Sequence, residues 1–492
     1  MVENSKLKKA MTKKRISILQ IILILILFNH SGFGQKSFNN IVVLFIDDLG
    51  YGDTGPYGVK DIPTPNMDRL AREGVVFTQG YVPGPPCSPS RASLMMGMYP
   101  QRFGKYGMSR GLPIPEDKPT IADFFKNHGF ITGQIGKWDL GSYSQTPLNS
   151  GFMEKEKKVP RKLYSEEEML ALKESSDPVQ RILFQELNKK KKYSKYIYIK
   201  KDGTEGWLTD YDGDMAVEFI ENHKDKPFFL YFSPEALHSF NWEASAELRN
   251  RTHATGKRSY LAGALVSVDD QVGKILTVLD KYNLRENTLI MFSSDNGPNP
   301  NEKGSASPYR GGKFNGTQFE GWVHVPLILS MPGVIPQGQH FDGLSMTLDL
   351  FPTAAAINGL KAPEQCDGVN LIPFLQNKKN EDPHEYIFWL NNDPNDSKHR
   401  HIAAVRWKDF RLIQDKISGN WNLFNIKKDP REERNIAPQF PEKVRSMIDA
   451  HQKWQVGHVS PPAFPSNPTH AQKKRIKTPP KGYGMWPLNN KM

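Results

Sequence analysis

Beyond residue 35 the apolar positions of this chain follow two rhythms. Short unbroken runs, Ile41-Val-Val-Leu-Phe-Ile46, Phe228-Phe-Leu-Tyr-Phe232 and Thr288 to Ser293, read as strands buried on both faces, as in a parallel sheet. Between Tyr260 and Tyr282 the spacing changes. Leu261, Leu265, Val268, Val272, Ile275, Leu276 and Leu279 recur on one helical face. Thr120 to Asn127 reads as a short helix with Ile121, Phe124 and Phe125 inward, stopped near Gly129, and Phe130 to Ile135 follows as a strand. Strands alternating with helices predict an α/β fold with a large, mainly parallel sheet flanked by helices. After residue 380 short strands and turns take over, as in Val405 to Ile413, which predicts a smaller C-terminal α+β domain with an antiparallel sheet.

The domain plan follows. Residues 35–380 form the main domain, with 154–201 as a charged surface insertion that carries Lys189 to Lys192 in one run. Residues 381–465 form the smaller domain, and 466–492 a basic, poorly ordered tail rich in Pro, Lys and Asn. Residues 1–34 are different. Lys6, Lys8, Lys9, Lys13, Lys14 and Arg15 precede the apolar run Ile16 to Phe28. That run suits an export signal peptide of roughly 7–15 apolar residues and falls short of the ~18 or more that span a bilayer. Export is therefore expected, to the periplasm first and to the medium as the alternative, with no stable membrane anchor.

The net charge of +12 in 492 residues changes little in this picture, because the leader supplies about five of it. A basic balance favours anionic partners. Nucleic acid is not expected, since no basic helix with interleaved aromatics and no zinc-finger spacing is present. Two cysteines, Cys87 and Cys366, would allow one disulfide in an exported chain. The setting of Cys87, Pro85-Pro-Cys-Ser-Pro-Ser-Arg91, argues for a separate role.

Four of the predicted strands end in polar residues: Asp47 and Asp48, Lys137, His238, then Asp295 and Asn296. Open α/β sheets build their sites beyond the carboxyl ends of the strands, so these residues are expected to meet. Asp47, Asp48, Asp295 and Asn296 offer only oxygen, which suits Ca²⁺ or Mg²⁺ over Zn²⁺. The same residues next to Gly also make ordinary turns. Ser88 can cap a helix and Pro89 suits its first turn, which puts Cys87 at a helix N-terminus, where anions are favoured. A free Cys is equally at home as a small buried hydrophobe.

Cys87-Ser-Pro-Ser-Arg91, with Gly97 and Tyr99-Pro100 after it, resembles the signature of the formylglycine-dependent (type I) sulfatases of the alkaline-phosphatase superfamily. Gly136-Lys-Trp-Asp-Leu-Gly141 resembles their second signature. Asp47-Asp-Leu-Gly50, Thr64-Pro-Asn-Met-Asp68, Ser294-Asp-Asn-Gly297, Gly311-Gly-Lys313, Glu320-Gly321, Val325-Pro326 and Asp349-Leu-Phe-Pro-Thr353 follow in family order. The resemblance implies that Cys87 becomes formylglycine through a formylglycine-generating or sulfatase-maturating enzyme, and that the hydrated aldehyde is the nucleophile. It implies Ca²⁺, in preference to Mg²⁺, on Asp47, Asp48, Asp295, Asn296 and the modified Cys87. Arg91 would steady the nucleophile, Lys137 and Lys313 would bind sulfate, and His238 would protonate or hold the leaving oxygen. The implied substrate is a sulfated carbohydrate, a polysaccharide or its oligosaccharides, with algal ulvan or carrageenan as the guess. A phosphate or phosphonate ester hydrolase and a non-catalytic glycan-binding relative are the alternatives.

Two positions depart from that pattern. Asp139 stands where the family usually has the His of Gly-Lys-Trp-His-Leu-Gly, beside the nucleophile. Glu320-Gly-Trp-Val-His-Val-Pro326 carries Trp322 and His324 at changed positions. Arg310, Trp322 and His324, or the 154–201 insertion, are expected to shape the substrate subsite, with Trp322 suited to stack on a sugar.

Overall fold

Every residue of the strand Asn40–Ile46 is buried, as its unbroken apolar run requires. In the computed structural model this strand lies in the middle of an eight-stranded sheet. It pairs in parallel with Thr288–Ser294 on one side and Phe228–Ser233 on the other. The structure describes residues 38–459 except 108–113, 141–145, 156, 240, 317, 392–401 and 416–417. The leader and the basic tail expected from the sequence lie outside the described residues.

Beyond Phe228–Ser233 come Ile131–Gly136 and Glu154–Lys155, both parallel. Beyond Thr288–Ser294 come Leu327–Ser330, antiparallel, then Val75–Phe77 and Gln339–Phe341. The sheet is thus mainly parallel around its centre and mixed at one side.

The helix Gly256–Lys281 buries all seven apolar residues of the helical stripe. It begins four residues before the apolar pattern does, because its first turn, Gly256-Lys-Arg-Ser259, carries no hydrophobe to announce it. Thr120 caps Ile121–Asn127 through a reciprocal bond with Asp123, and the helix stops at His128 and Gly129 as expected. Among the described residues no helix is long and apolar enough to cross a membrane.

The insertion is more structured than its charge suggests. Helices Glu166–Glu174 and Pro178–Lys189 pack beside a three-stranded antiparallel sheet, Arg161–Leu163, Tyr193–Ile199 and Glu205–Trp207. Ser165 and Asp177 cap the two helices. Met169, Val179, Leu183 and Leu187 face inward, and Tyr196 is fully buried, stacked on Trp207 at 5.1 Å.

At the C-terminus four antiparallel strands, Ile387–Asn391, Ile402–Trp407, Phe410–Gln414 and Trp421–Asn425, are followed by the helix Pro441–Gln455. Their inner face has no separate core on that side. Ile387, Trp389, Ala404 and Ile413 pack with Tyr81, Val82, Trp322, Val325 and Leu348 of the larger part. The Trp389 indole donates to the Val82 carbonyl at 2.7 Å.

Candidate functional site

Parallel neighbours end at the same edge of a sheet, and here three of them deliver chemistry to it. Asp47 and Asp48 follow Asn40–Ile46, Asp295 and Asn296 follow Thr288–Ser294, and Lys137 follows Ile131–Gly136. His238 lies a few residues after Phe228–Ser233. Backbone bonds hold these ends together: Asp295 N–H donates to Ile46 O (3.3 Å) and Leu237 N–H to Asp47 O (3.1 Å). The turn at Gly297 needs its glycine. A Cβ there would lie 1.8 Å from the carbonyl oxygen of Gly321.

Cys87 is the first residue of the helix Cys87–Met96, whose N-cap is Pro86. The expected cap, Ser88, lies inside the helix, and its hydroxyl has no protein partner. The helix therefore starts two residues earlier than the Ser-Pro pair suggests. Cys87 is 3% exposed, and every residue of this helix is buried. Cys87 and Cys366 are both free thiols, so no disulfide joins them.

Ligand atoms of Asp47, Asp48, Cys87 and Asp295 lie within 4.8 Å of one another. Cations surround them. Arg91, fully buried, donates to Asp47 at 2.8 Å and to Asp295 at 2.9 Å, and also to Ser233 and Tyr231. Lys137 pairs with Asp47 and lies 3.6 Å from Asp139. Lys313 bonds both oxygens of Asp48, at 2.8 and 2.9 Å, with its Nζ 3.6 Å from Cys87 Sγ. Asn296 donates to Asp48 at 2.8 Å, while its own Oδ1 is buried without a hydrogen-bond partner among the described residues.

That orphaned oxygen, beside three buried carboxylates, fits a metal ligand. Buried polar atoms otherwise find partners, and an all-oxygen set selects a hard cation. The residues present therefore fit a divalent ion. Four carboxylates, Asp47, Asp48, Asp139 and Asp295, face three basic side chains, Arg91, Lys137 and Lys313, so a divalent ion would leave the site with one net positive charge toward an anion.

The titratable groups reflect this packing. Burial opposes ionisation of Asp47, but Lys137, Arg91 and Lys313 together hold its carboxyl well below the usual range. Burial and the neighbouring Asp47 push Asp295 up to about 7. Burial, with Asp295 and Asp47 close by, pushes the Cys87 thiol up. Burial drives His238 down despite Asp47, so the ring is neutral.

The structure thus brings together Asp47, Asp48, Cys87, Arg91, Lys137, Asp139, His238, Asp295, Asn296 and Lys313. The three residues expected at a substrate subsite lie elsewhere. Trp322 and His324 are fully buried, so neither presents a face to a sugar. Trp322 belongs to the core shared with the C-terminal sheet. His324 sits between Glu320 (3.1 Å) and the Thr78 carbonyl (2.9 Å). Arg310 donates to the Glu432 carbonyl at 2.6 Å and covers the Phe319 ring at 3.5 Å. Their common role is support. Gly297 N–H donates to Trp322 O, and Gly321 N–H to Arg310 O, which ties the Asp295-Asn296 turn to this segment.

Two residues beside the site escaped the sequence reading. Phe314 is 43% exposed, and its ring centroid lies 5.6 Å from Lys313 Nζ. Its position directly after the lysine of a recognised motif was the available signal. Lys195, from the insertion, bonds His238 Nδ1 at 2.9 Å. One lysine among many in a charged segment carries no such signal.

Comparison with known proteins agrees with this geometry. A family model described as Sulfatase matches residues 39–360, and one described as the C-terminal region of N-sulphoglucosamine sulphohydrolase matches residues 316–454. N-acetylgalactosamine-6-sulfatase of Canis lupus familiaris is 30% identical over 461 residues, covering 85% of this chain and 82% of that protein. Arylsulfatase A of Bos taurus is 32% identical over 463 residues, covering 85% and 87%. Among solved structures, Ps i-CgsB in complex with k-i-k-neocarrahexaose superposes with a TM-score of 0.73 at 28% identity, covering 90% of this chain and 98% of the other. With signature residues, site geometry and relatives in agreement over most of its length, the chain belongs to the sulfatase family, as a type I sulfuric ester hydrolase of the alkaline-phosphatase superfamily.

Proposed function

We propose that this sulfatase removes sulfate from a sulfated carbohydrate, a polysaccharide or its oligosaccharides, through a formylglycine made from Cys87. The observation that carries this reading is the convergence of Cys87, three buried carboxylates and Lys313 at one sheet edge. Asp47, Asp48, Asp295, Asn296 and the modified Cys87 would hold Ca²⁺, which when bound supplies positive charge to the nucleophile and to the sulfate oxygens. The hydrated aldehyde supplies one oxygen to attack sulfur and a second hydroxyl whose deprotonation expels sulfate.

The remaining roles belong to side chains already in position. Lys137 and Lys313 hold the sulfate oxygens and meet the charge that develops on them. Arg91 orients the carboxylates and the nucleophile. His238 gives a proton to the leaving alcohol oxygen. Asp139, beside Lys137, takes the place of the family histidine. Supply of formylglycine needs a maturating enzyme, and the basic leader with its apolar run supports export to the periplasm, where glycans are met.

For the substrate, the solved relative bound to k-i-k-neocarrahexaose favours a sulfated galactan of the carrageenan kind. Phe314 offers the exposed ring beside Lys313 on which a sugar can stack. Matured protein screened on defined sulfated oligosaccharides should release inorganic sulfate from at least one. Binding to these sugars with no release, at full Cys87 conversion, would favour a glycan-binding role instead. Phe314→Ala should raise KM for that oligosaccharide by about tenfold or less, the worth of one aromatic contact, with kcat little changed. An unchanged KM would remove Phe314 from the subsite.

A further inference from the structure

The insertion reaches the site through Lys195 and Tyr196. Strand Tyr193–Ile199 runs past the loop that carries His238, and its backbone is pinned there: Glu243 Oε2 accepts from both Lys195 N–H and Tyr196 N–H at 3.0 Å. Tyr196, buried beneath the strand, donates its hydroxyl to the His238 carbonyl. Lys195 is therefore held by its neighbours on both sides, not left to swing.

Its ammonium group has three close acceptors. They are His238 Nδ1 at 2.9 Å, the His238 carbonyl at 2.8 Å and the Ser239 carbonyl at 3.0 Å. Glu235 provides a counter-charge at 3.4 Å. An ammonium has three N–H groups and no lone pair, so three acceptors use it completely. Nδ1 must then accept, and a ring nitrogen that accepts carries no hydrogen, so the ring hydrogen sits on Nε2. A ring nitrogen of His238 also lies within 4.8 Å of an Asp47 oxygen and Cys87 Sγ. Lys195 engages Nδ1, and among the described residues no hydrogen bond engages Nε2.

We infer that Lys195 is a positioning residue that locks His238 in the Nε2–H form and so aims a proton donor at the leaving-group oxygen. The proposal rests on the function given above for what Nε2–H meets, while the tautomer itself does not. A neutral amine at Lys195 would give the opposite arrangement. Its two hydrogens would go to the two carbonyls and its lone pair would accept from Nδ1–H. The two cases are therefore cleanly separable.

The deciding measurement is ¹⁵N NMR of the full protein labelled at histidine, with the His238 signals assigned from a His238→Asn variant. Nε2 should be the protonated nitrogen. Nδ1 protonated in the unaltered protein would overturn the proposal, whatever the enzyme's activity. Kinetics give a second, independent readout. Lys195→Met should cost roughly 10²-fold in kcat on an alkyl sulfate, which needs a proton on its leaving oxygen. The loss on 4-nitrophenyl sulfate, whose leaving group departs without help, should be at least about tenfold smaller. Equal losses on both would mean that Lys195 only supports the fold, and would overturn the positioning role. If Lys195→Met does not fold, the tautomer in the unaltered protein still decides.

Discussion

Cys87→Ser, with serine confirmed at the position by mass, should lose sulfate turnover by roughly 10³-fold or more and yet still release about one equivalent of alcohol per enzyme. The serine hydroxyl would stand where the thiol stands, on the first residue of a buried helix with Lys313 Nζ beside it. It can take the sulfuryl group from the ester as the alcohol leaves. It has no second hydroxyl on the same carbon, so nothing expels the sulfate and the enzyme stays modified. A quenched-flow burst of alcohol, with the intact protein heavier by one sulfuryl group, is the expected record. In the native host, the peptide bearing Cys87 should show the mass loss of thiol exchanged for aldehyde. Steady sulfate release by Cys87→Ser or Cys87→Ala at the unaltered rate would place the chemistry on another residue.

Removal of the divalent ion should be comparably severe, with turnover falling by roughly 10²-fold or more. Asp47, Asp48 and Asp295 are balanced one for one by Arg91, Lys137 and Lys313. Without an ion, the lysines proposed to hold sulfate are occupied by carboxylates. With one, the carboxylates have a stronger partner and the lysines are released to the substrate. Protein stripped with a chelator should regain activity with Ca²⁺ more fully than with Mg²⁺, because the site offers several carboxylate and amide oxygens in irregular array. Binding should also appear without any substrate. Ca²⁺ at about 100 times its Kd should add about 2.7 kcal/mol to unfolding stability, read by thermal or denaturant melts. Asp295→Ala should lose both effects. A stripped protein with full activity and an unshifted melt would rule out the ion.

The parts of the fold that could be read from the chain are those set by local chemistry. Ile41 to Ile46 and Leu289 to Phe292 are so uniformly apolar that a buried strand suits them, and the acids that follow must then lie near its end. Proximity of those ends follows from parallel pairing. Trp322 and His324 were misjudged for a physical reason. A departure from a family pattern looks like surface variation, but here Trp322 fills a core shared with strands beyond residue 387 and His324 is buried among Tyr51, Tyr81 and Tyr309, which no local pattern reveals. Lys195 was illegible on the same grounds. Its importance lies in the geometry around Nζ, set by Glu243 and by the loop at His238, not in the residues next to it.

The burial of Cys87 constrains the order of events in the life of the chain. At 3% exposure the thiol cannot be threaded into another enzyme's active site from the finished fold. The region around it is closed by residues made last. Trp389 seals the Val82 carbonyl, and Glu320 is matched by Arg411, itself paired with Glu432. Until those C-terminal strands exist, Glu320 keeps only His324 and the Tyr81 hydroxyl and lacks the charges of Arg406 and Arg411, in a fold whose whole margin is roughly 5–15 kcal/mol. On the proposed function, the segment bearing Cys87 should therefore remain open to a maturating enzyme while the chain is being synthesised. Completion of the last hundred residues then acts as a deadline, after which a missed cysteine is sealed in for good.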